Sequence, residues 1–170
     1  ESSLIVPAGG FRNPTSTETQ QRTARENNNI RSNNDVFMDG TKVFTFTLRT
    51  VPTTIESALN AIGWEMDQVD SFVMHQANRY ILQHLAKRMK IPDEKFPICM
   101  TQFGNTSGAS IPITIAEKLA STLVEKPQKL ILSGFGVGWS WATVALTCGP
   151  ITISELSIVS SAQKEAQPAS

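Results

Sequence analysis

The chain has 170 residues, 40% of them hydrophobic, enough for one domain that hides roughly two thirds of its unfolded surface. Fifteen basic residues balance fifteen acidic ones, so no global field draws in nucleic acid or an anionic membrane, and attraction to an acidic partner has to be local. No apolar run reaches the length of a membrane span, and Leu4-Ile5-Val6 lacks the basic flank of a signal peptide, so the chain reads as soluble and cytoplasmic.

Ser2 to Val6 predicts a short strand and Pro7 to Asp35, rich in Gly, Pro, Thr, Asn and Arg, a long loop. A loop of that length fits either a cover over a site entrance or a floppy segment. From Gly40 the apolar positions Phe44, Leu48, Val51, Ile55, Leu59 and Ile62 recur at helical spacing, and Gly63 closes the helix. Pro52 should kink or break it, and the alternation of Phe44, Phe46 and Leu48 between threonines leaves a strand open for its first part. Val69 to Met74 predicts a buried strand ending at His75. Asn78 to Lys90 predicts a helix with Ile81, Leu82, Leu85 and Met89 inward, stopped by Pro92.

Ile98 to Thr101 reads as a second strand before the Gly104 turn. Ile111, Ile115, Leu119 and Leu123 read as the inner stripe of the next helix, which ends before Pro127. Lys129 to Ser133 is a third strand, and a Gly-rich turn leads into Trp139 to Cys148, long enough for a fourth. Strands alternating with helices imply a mostly parallel sheet with right-handed crossovers. One domain over residues 1–150 is therefore expected, followed by a polar extension, 151–170, that reads as a mobile tail. Because Glu1 stands directly before a strand with no methionine, a truncated, cleaved or split chain is also expected.

Sites in open α/β sheets form at the carboxyl ends of strands, where the turns at His75, Asn105 and Phe135 to Gly138 all fall in this reading. Alone, a histidine at a strand end is more often a structural hydrogen-bonder than a catalyst. Asn105 in the equivalent place one strand later strengthens the case, since helix capping accounts for Ser107 better than for Asn105. An imidazole N–H and a carboxamide N–H together suit an enolate, provided an acceptor on the other ring nitrogen fixes the tautomer. The sequence does not identify that acceptor.

Gly134-Phe135-Gly136-Val137-Gly138 lacks the GxGxxG order of a nucleotide loop and leads into a strand. A tight antiparallel turn explains it, and its backbone N–H groups could also cradle an oxyanion beside Phe135. Cys99 and Cys148 lack CxxC spacing and read as buried, unreactive thiols in strand-like runs. His84 lies off the inner stripe and reads as a surface residue. Arg79, Lys87, Arg88 and Lys90 make one helix locally basic, either as a solvated face or as a docking patch for an acidic carrier protein.

The set Met38-Asp39-Gly40-Thr41-Lys42-Val43-Phe44, His75-Gln76-Ala77-Asn78, Phe103 to Pro112 with its Gly-Asn-Thr-Ser turn, and Gly134 to Trp141 resembles the C-terminal half of the β-ketoacyl-acyl-carrier-protein synthase III family of condensing enzymes. The resemblance implies an α/β, thiolase-like fold, one half of a duplicated α/β/α/β/α arrangement with a mixed five-stranded sheet. It matches His75 and Asn105 to the pair that stabilises the malonyl-derived enolate. Thr41, Asn78, Phe135, Gly136, Val137 and Gly138 match substrate-binding positions, with Phe135 an aromatic gate and the Val137 N–H a donor to the acyl oxygen. Gln76, Arg79, Tyr80, Lys87 and Arg88 match the carrier-protein contact.

Three departures stand out. Val137 replaces the family's usual Gly or Ala, and Tyr80 stands where several relatives have Arg. Neither Cys99 nor Cys148 matches the nucleophile, which the family carries in its other half. The implied activity is decarboxylative condensation of an acyl-CoA with malonyl-acyl-carrier protein in fatty-acid synthesis, the chain being inactive alone. The implied partners are an N-terminal half bearing the cysteine, an acyl-carrier protein and a second copy of the whole enzyme. No metal or cofactor is expected beyond the coenzyme A and carrier-protein thioesters as substrates. The competing readings are a related enzyme of secondary metabolism and a non-catalytic subunit of a split condensing enzyme.

Overall fold

Residues 3–136 and 139–157, the part of the chain that this computed structural model describes, begin with β1 (Leu4–Ile5) and an excursion that returns to pair with it. The excursion carries the helical turn α1 (Thr17–Gln20) and a small hairpin of β2 (Thr23–Ala24) and β3 (Ile30–Arg31). It comes back at β4 (Phe37–Met38), antiparallel to β1 with Leu4 opposite Met38. The expected loop from Pro7 to Asp35 is therefore partly ordered. Caps and paired backbone hold it: the Ser16 hydroxyl accepts the Thr19 N–H at 3.1 Å, and the Asp39 N–H donates to the Ser3 carbonyl at 2.7 Å.

The helix α2 (Gly40–Ile62) starts where the Asp39 carboxylate accepts the Lys42 N–H at 3.0 Å and ends at Gly63 in the left-handed conformation. It is one continuous helix despite Pro52, so neither the break nor the strand alternative occurs. An internal proline costs about 3 kcal/mol. Val51, Ile55 and Leu59, all buried on the same face, each contribute about 2 kcal/mol, which outweighs that cost.

Next come β5 (Ser71–Met74), buried throughout, and α3 (Arg79–Met89), capped by Asn78, whose carboxamide oxygen accepts the Ile81 N–H at 2.8 Å. The second strand expected at Ile98 to Thr101 is absent. Cys99 instead precedes a helical turn, α4 (Met100–Phe103), and its N–H is taken by the Gln76 side chain at 3.1 Å rather than by a strand ladder. The helix expected through Leu123 divides at Leu119 into α5 (Ser110–Lys118) and α6 (Ala120–Glu125).

The strands β6 (Gln128–Gly136) and β7 (Ser140–Cys148) complete a sheet in the order β5-β6-β7. The pair β5 and β6 is parallel, with Met74 beside Ser133, and β6 and β7 are antiparallel, with Phe135 opposite Trp141. The sheet is thus mixed rather than mostly parallel. Among the described residues it has three strands, not five. Strand alternation divides the core: Phe72, Met74, Ile131 and Phe135 pack with α2 and α3, while Val73 and Leu130 pack with Leu119 and Leu123 on the other face. The hydroxyls of Thr54 on α2 and Thr143 on β7 meet at 2.9 Å. Cys99 is buried and Cys148 half-buried, neither in a disulfide. Residues 158–170, most of the predicted tail, lie outside the described residues. Among those described, no helix is long and apolar enough to cross a membrane.

Candidate active site

The parallel ladder of β5 and β6 delivers His75. Its N–H continues the pairing to the Ser133 carbonyl at 2.8 Å, after which the chain turns into α3, the Ala77 N–H bonding the His75 carbonyl at 3.0 Å. The imidazole is half-buried. Phe135, from the end of β6, meets it edge to face, with ring centroids 5.4 Å apart and planes at 79°. The His75 Nδ1 lies 2.7 Å from the Ser110 hydroxyl at the start of α5. Burial holds the His75 pKa below the ordinary 6.5, and a hydrogen bond with the Ser107 backbone opposes that shift, so the ring is neutral at physiological pH.

Asn105 reaches the same place from the turn after α4, not from a strand end as predicted. Its Nδ2 donates to the Ala77 carbonyl at 3.2 Å, two residues beyond the histidine, and its Oδ1 accepts the Ser107 N–H at 2.9 Å. The local turn bond therefore belongs to Asn105, whereas no cap bond is made by the Ser107 side chain, reversing the expected assignment. Ser107 itself is held at φ 52°, a left-handed conformation uncommon for a non-glycine residue. That bend turns the backbone of the Asn105 loop toward the imidazole.

The other predicted site residues divide by position. Gly136 closes β6 beside Phe135, and Asn78 is exposed at the head of α3 with its oxygen committed to the cap. Val137 and Gly138 lie outside the described residues. Thr41 is exposed in the first turn of α2 and lines an open cleft of ≈ 650 Å³, walled by Arg25, Asn29, Arg31 and Asp39 and without His75 or Asn105 in its lining.

Arg79 is exposed and donates to the Thr101 hydroxyl at 2.6 Å, while Tyr80 is 61% exposed. Lys87 and Arg88 are exposed in the last turn of α3, outside every ion pair among the described residues. Gln76 corrects the expected carrier contact. It is 1% exposed, its Nε2 donating to the Met74 carbonyl at 3.0 Å and its Oε1 accepting the Cys99 N–H, so its side chain has no surface to offer. His84 is half-buried rather than a surface residue, its ring tilted against Tyr80 with centroids 4.1 Å apart and edge to face with Phe44 at 5.4 Å.

Ser110 is the site residue that sequence reasoning passed over. A serine opening a helix one turn after Ser107 was the available signal, and the motif reading assigned it no role. Among the described residues, no three or more His, Cys, Asp or Glu side chains are grouped to hold a metal ion.

A mixed sheet covered by helices on both faces, with histidine and asparagine turns meeting at one end of it, defines a thiolase-like half-domain. Residues 59–148, just over half of the chain, match the family model for the C-terminal part of 3-oxoacyl-acyl-carrier-protein synthase III, and the chain belongs to that family. It is 42% identical over 112 residues to the β-ketoacyl-acyl-carrier-protein synthase III of Streptococcus gordonii, covering 65% of this chain and 35% of that protein. The protein of the same name from Fusobacterium nucleatum is 36% identical over 143 residues, covering 84% of this chain and 41% of the relative. The crystal structure of 3-oxoacyl-acyl-carrier-protein synthase from Burkholderia xenovorans superposes with a TM-score of 0.78 at 42% identity, covering 90% of this chain and 42% of that one. The chain thus spans between a third and just over two fifths of the length of these relatives.

Proposed function

We propose that this chain is the C-terminal part of a condensing acyltransferase that joins an acyl-CoA to malonyl-acyl-carrier protein with loss of carbon dioxide, in cytoplasmic fatty-acid synthesis. The observation that carries the reading is the meeting of the His75 and Asn105 turns through the Ala77 carbonyl and the Ser107 backbone.

The chemistry follows from the donors. When the malonyl carboxylate leaves as carbon dioxide, the electron pair of the broken C–C bond passes into the thioester and its oxygen becomes an enolate. A neutral imidazole N–H and a carboxamide N–H stabilise that oxygen without acting as bases. The enolate carbon then attacks an acyl thioester held on a cysteine, forming the new C–C bond and expelling the thiolate. That cysteine belongs to the part of the enzyme outside this chain. Phe135 forms an apolar wall with Gly136 beside it, next to the acyl group; the acyl-oxygen roles that the motif implies for Val137 and Gly138 fall outside the described residues. Thr41 and Asn78 lie along the coenzyme A arm. Arg79, Tyr80, Lys87 and Arg88 face the carrier protein. The whole enzyme is a homodimer and uses the two thioesters with no further cofactor.

The test supplies the cysteine-bearing half and follows malonyl decarboxylation and condensation. Asn105→Ala is expected to lower decarboxylation by about 10²- to 10³-fold, the usual loss for one oxyanion donor. Full activity in Asn105→Ala, or no malonyl-dependent condensation by the reconstituted pair, overturns the reading. Turnover of a different acyl acceptor in preference to malonyl-acyl-carrier protein would assign the chain to secondary metabolism instead.

A further inference from the structure

We infer that Ser110 is a positioning residue whose hydroxyl donates to His75 Nδ1 and so keeps the ring proton on Nε2. The argument is an accounting of partners. Ser110 is 2% exposed, so its hydroxyl cannot turn to bulk water. Its Oγ lies 2.7 Å from His75 Nδ1 and also accepts the Gln76 N–H at 3.3 Å. A hydroxyl has one proton to give and two lone pairs to receive.

If Nδ1 carried the proton, both His75 and Gln76 would donate to Oγ, and the serine proton would need a third partner. Among the described residues Oγ makes hydrogen bonds only with His75 and Gln76, so that proton would be left without an acceptor. If Nδ1 is bare, the Ser110 O–H donates to it, the Gln76 N–H occupies a lone pair, and every group is satisfied. An orphaned buried donor shifts an equilibrium by about tenfold, so the second arrangement prevails.

The geometry that fixes Ser110 is itself buried. The Thr114 hydroxyl donates to the Ser110 carbonyl at 2.8 Å and lies 3.0 Å from the Cys99 sulfur, while Gln76 ties the Met74 carbonyl to the Cys99 N–H. Serine, imidazole and turn are thus braced from three elements. Their result is a neutral ring whose single N–H, on Nε2, is the group that meets the Ser107 backbone and would turn to a ligand. The catalytic consequence rests on reading His75 as an enolate donor, but the tautomer does not.

The test is NMR of the full 170-residue chain carrying isotope-labelled histidine, which reports directly which ring nitrogen bears the proton. The sequence holds two histidines, and His84→Gln separates their signals. Above the titration of His75, the Nε2–H form is expected to exceed the Nδ1–H form by about tenfold. Ser110→Ala should erase about tenfold of that preference and Ser110→Thr, which keeps the hydroxyl, should restore it. A predominant Nδ1–H ring in the unsubstituted chain, or an unchanged ratio in Ser110→Ala, overturns the inference. Should Ser110→Ala not fold, an Nδ1–H ring in Ser110→Thr overturns it equally. An Nε2–H ring without decarboxylation in the reconstituted enzyme sinks the functional reading alone, and decarboxylation with an Nδ1–H ring sinks this one alone.

Discussion

Gln76 is where a single substitution should do the most damage to the fold for the least change in shape. Gln76→Met keeps the length of the side chain and removes its polar atoms. Two buried backbone groups lose their partners: the Cys99 N–H, held at 3.1 Å, and the Met74 carbonyl, held at 3.0 Å. The Pro97 carbonyl at 3.5 Å is too distant to add much. At about 2 kcal/mol for each orphaned group, the loss is about 4 kcal/mol. With a urea dependence of about 2 kcal/mol per molar, the unfolding midpoint of the 170-residue chain should fall by about 2 M, read by circular dichroism with the slope unchanged. Gln76→Glu is the sharper probe. It can still accept the Cys99 N–H, but at neutral pH it sets a carboxylate oxygen against the Met74 carbonyl. Its stability should improve in acid, when the carboxyl gains a proton to donate. A loss below about 1 kcal/mol for Gln76→Met, or native stability for Gln76→Glu at neutral pH, would refute the claim that this amide joins the two turns.

The lowered pKa of His75 fixes the sign of one pH effect. Between its folded midpoint and 6.5 the unfolded chain binds more protons than the folded one, so stability should drop as pH falls through that window. His75→Gln should flatten that part of the stability curve, and an unchanged slope in the variant would count against burial as the cause. Gly149 sits at φ 98°, and a Cβ there would meet the Leu123 carbonyl oxygen at 2.9 Å. Gly149→Ala should therefore cost about 3 kcal/mol in denaturant titration, and a cost under about 1 kcal/mol would show that the backbone yields.

Periodicity made the long elements legible. The apolar spacing of α2 and α3 states their geometry, because each buries a repeating face, and the short apolar runs of β5, β6 and β7 bounded by turn residues mark strands. The four residues at Ile98 to Thr101 carry too little pattern to separate strand from helical turn, and a side chain from another turn takes the Cys99 N–H. His84 was misplaced because its environment comes from Phe44 on a different helix. The Gln76 side chain is polar, yet the local need to satisfy backbone groups buries it, and hydropathy has no means of registering that. At the site, His75 and Asn105 could be matched as a pair from their motifs. The partner of the imidazole could not, since Ser110 reaches it only once α5 is seated under β5.

The order of strands in the sheet also bears on how the molecule comes together. The hairpin of β6 and β7 joins neighbours in the chain, so its closure costs little entropy. In contrast, β5 ends at Met74 and its parallel mate begins at Gln128, with four α-helices and two 3₁₀ turns between them. That long-range pairing closes a much longer stretch of chain than the hairpin does, and the topology predicts that it forms more slowly. On that expectation the histidine at the tip of β5 takes up its position after the hairpin that supplies Phe135, an order that pulsed hydrogen exchange during refolding would test.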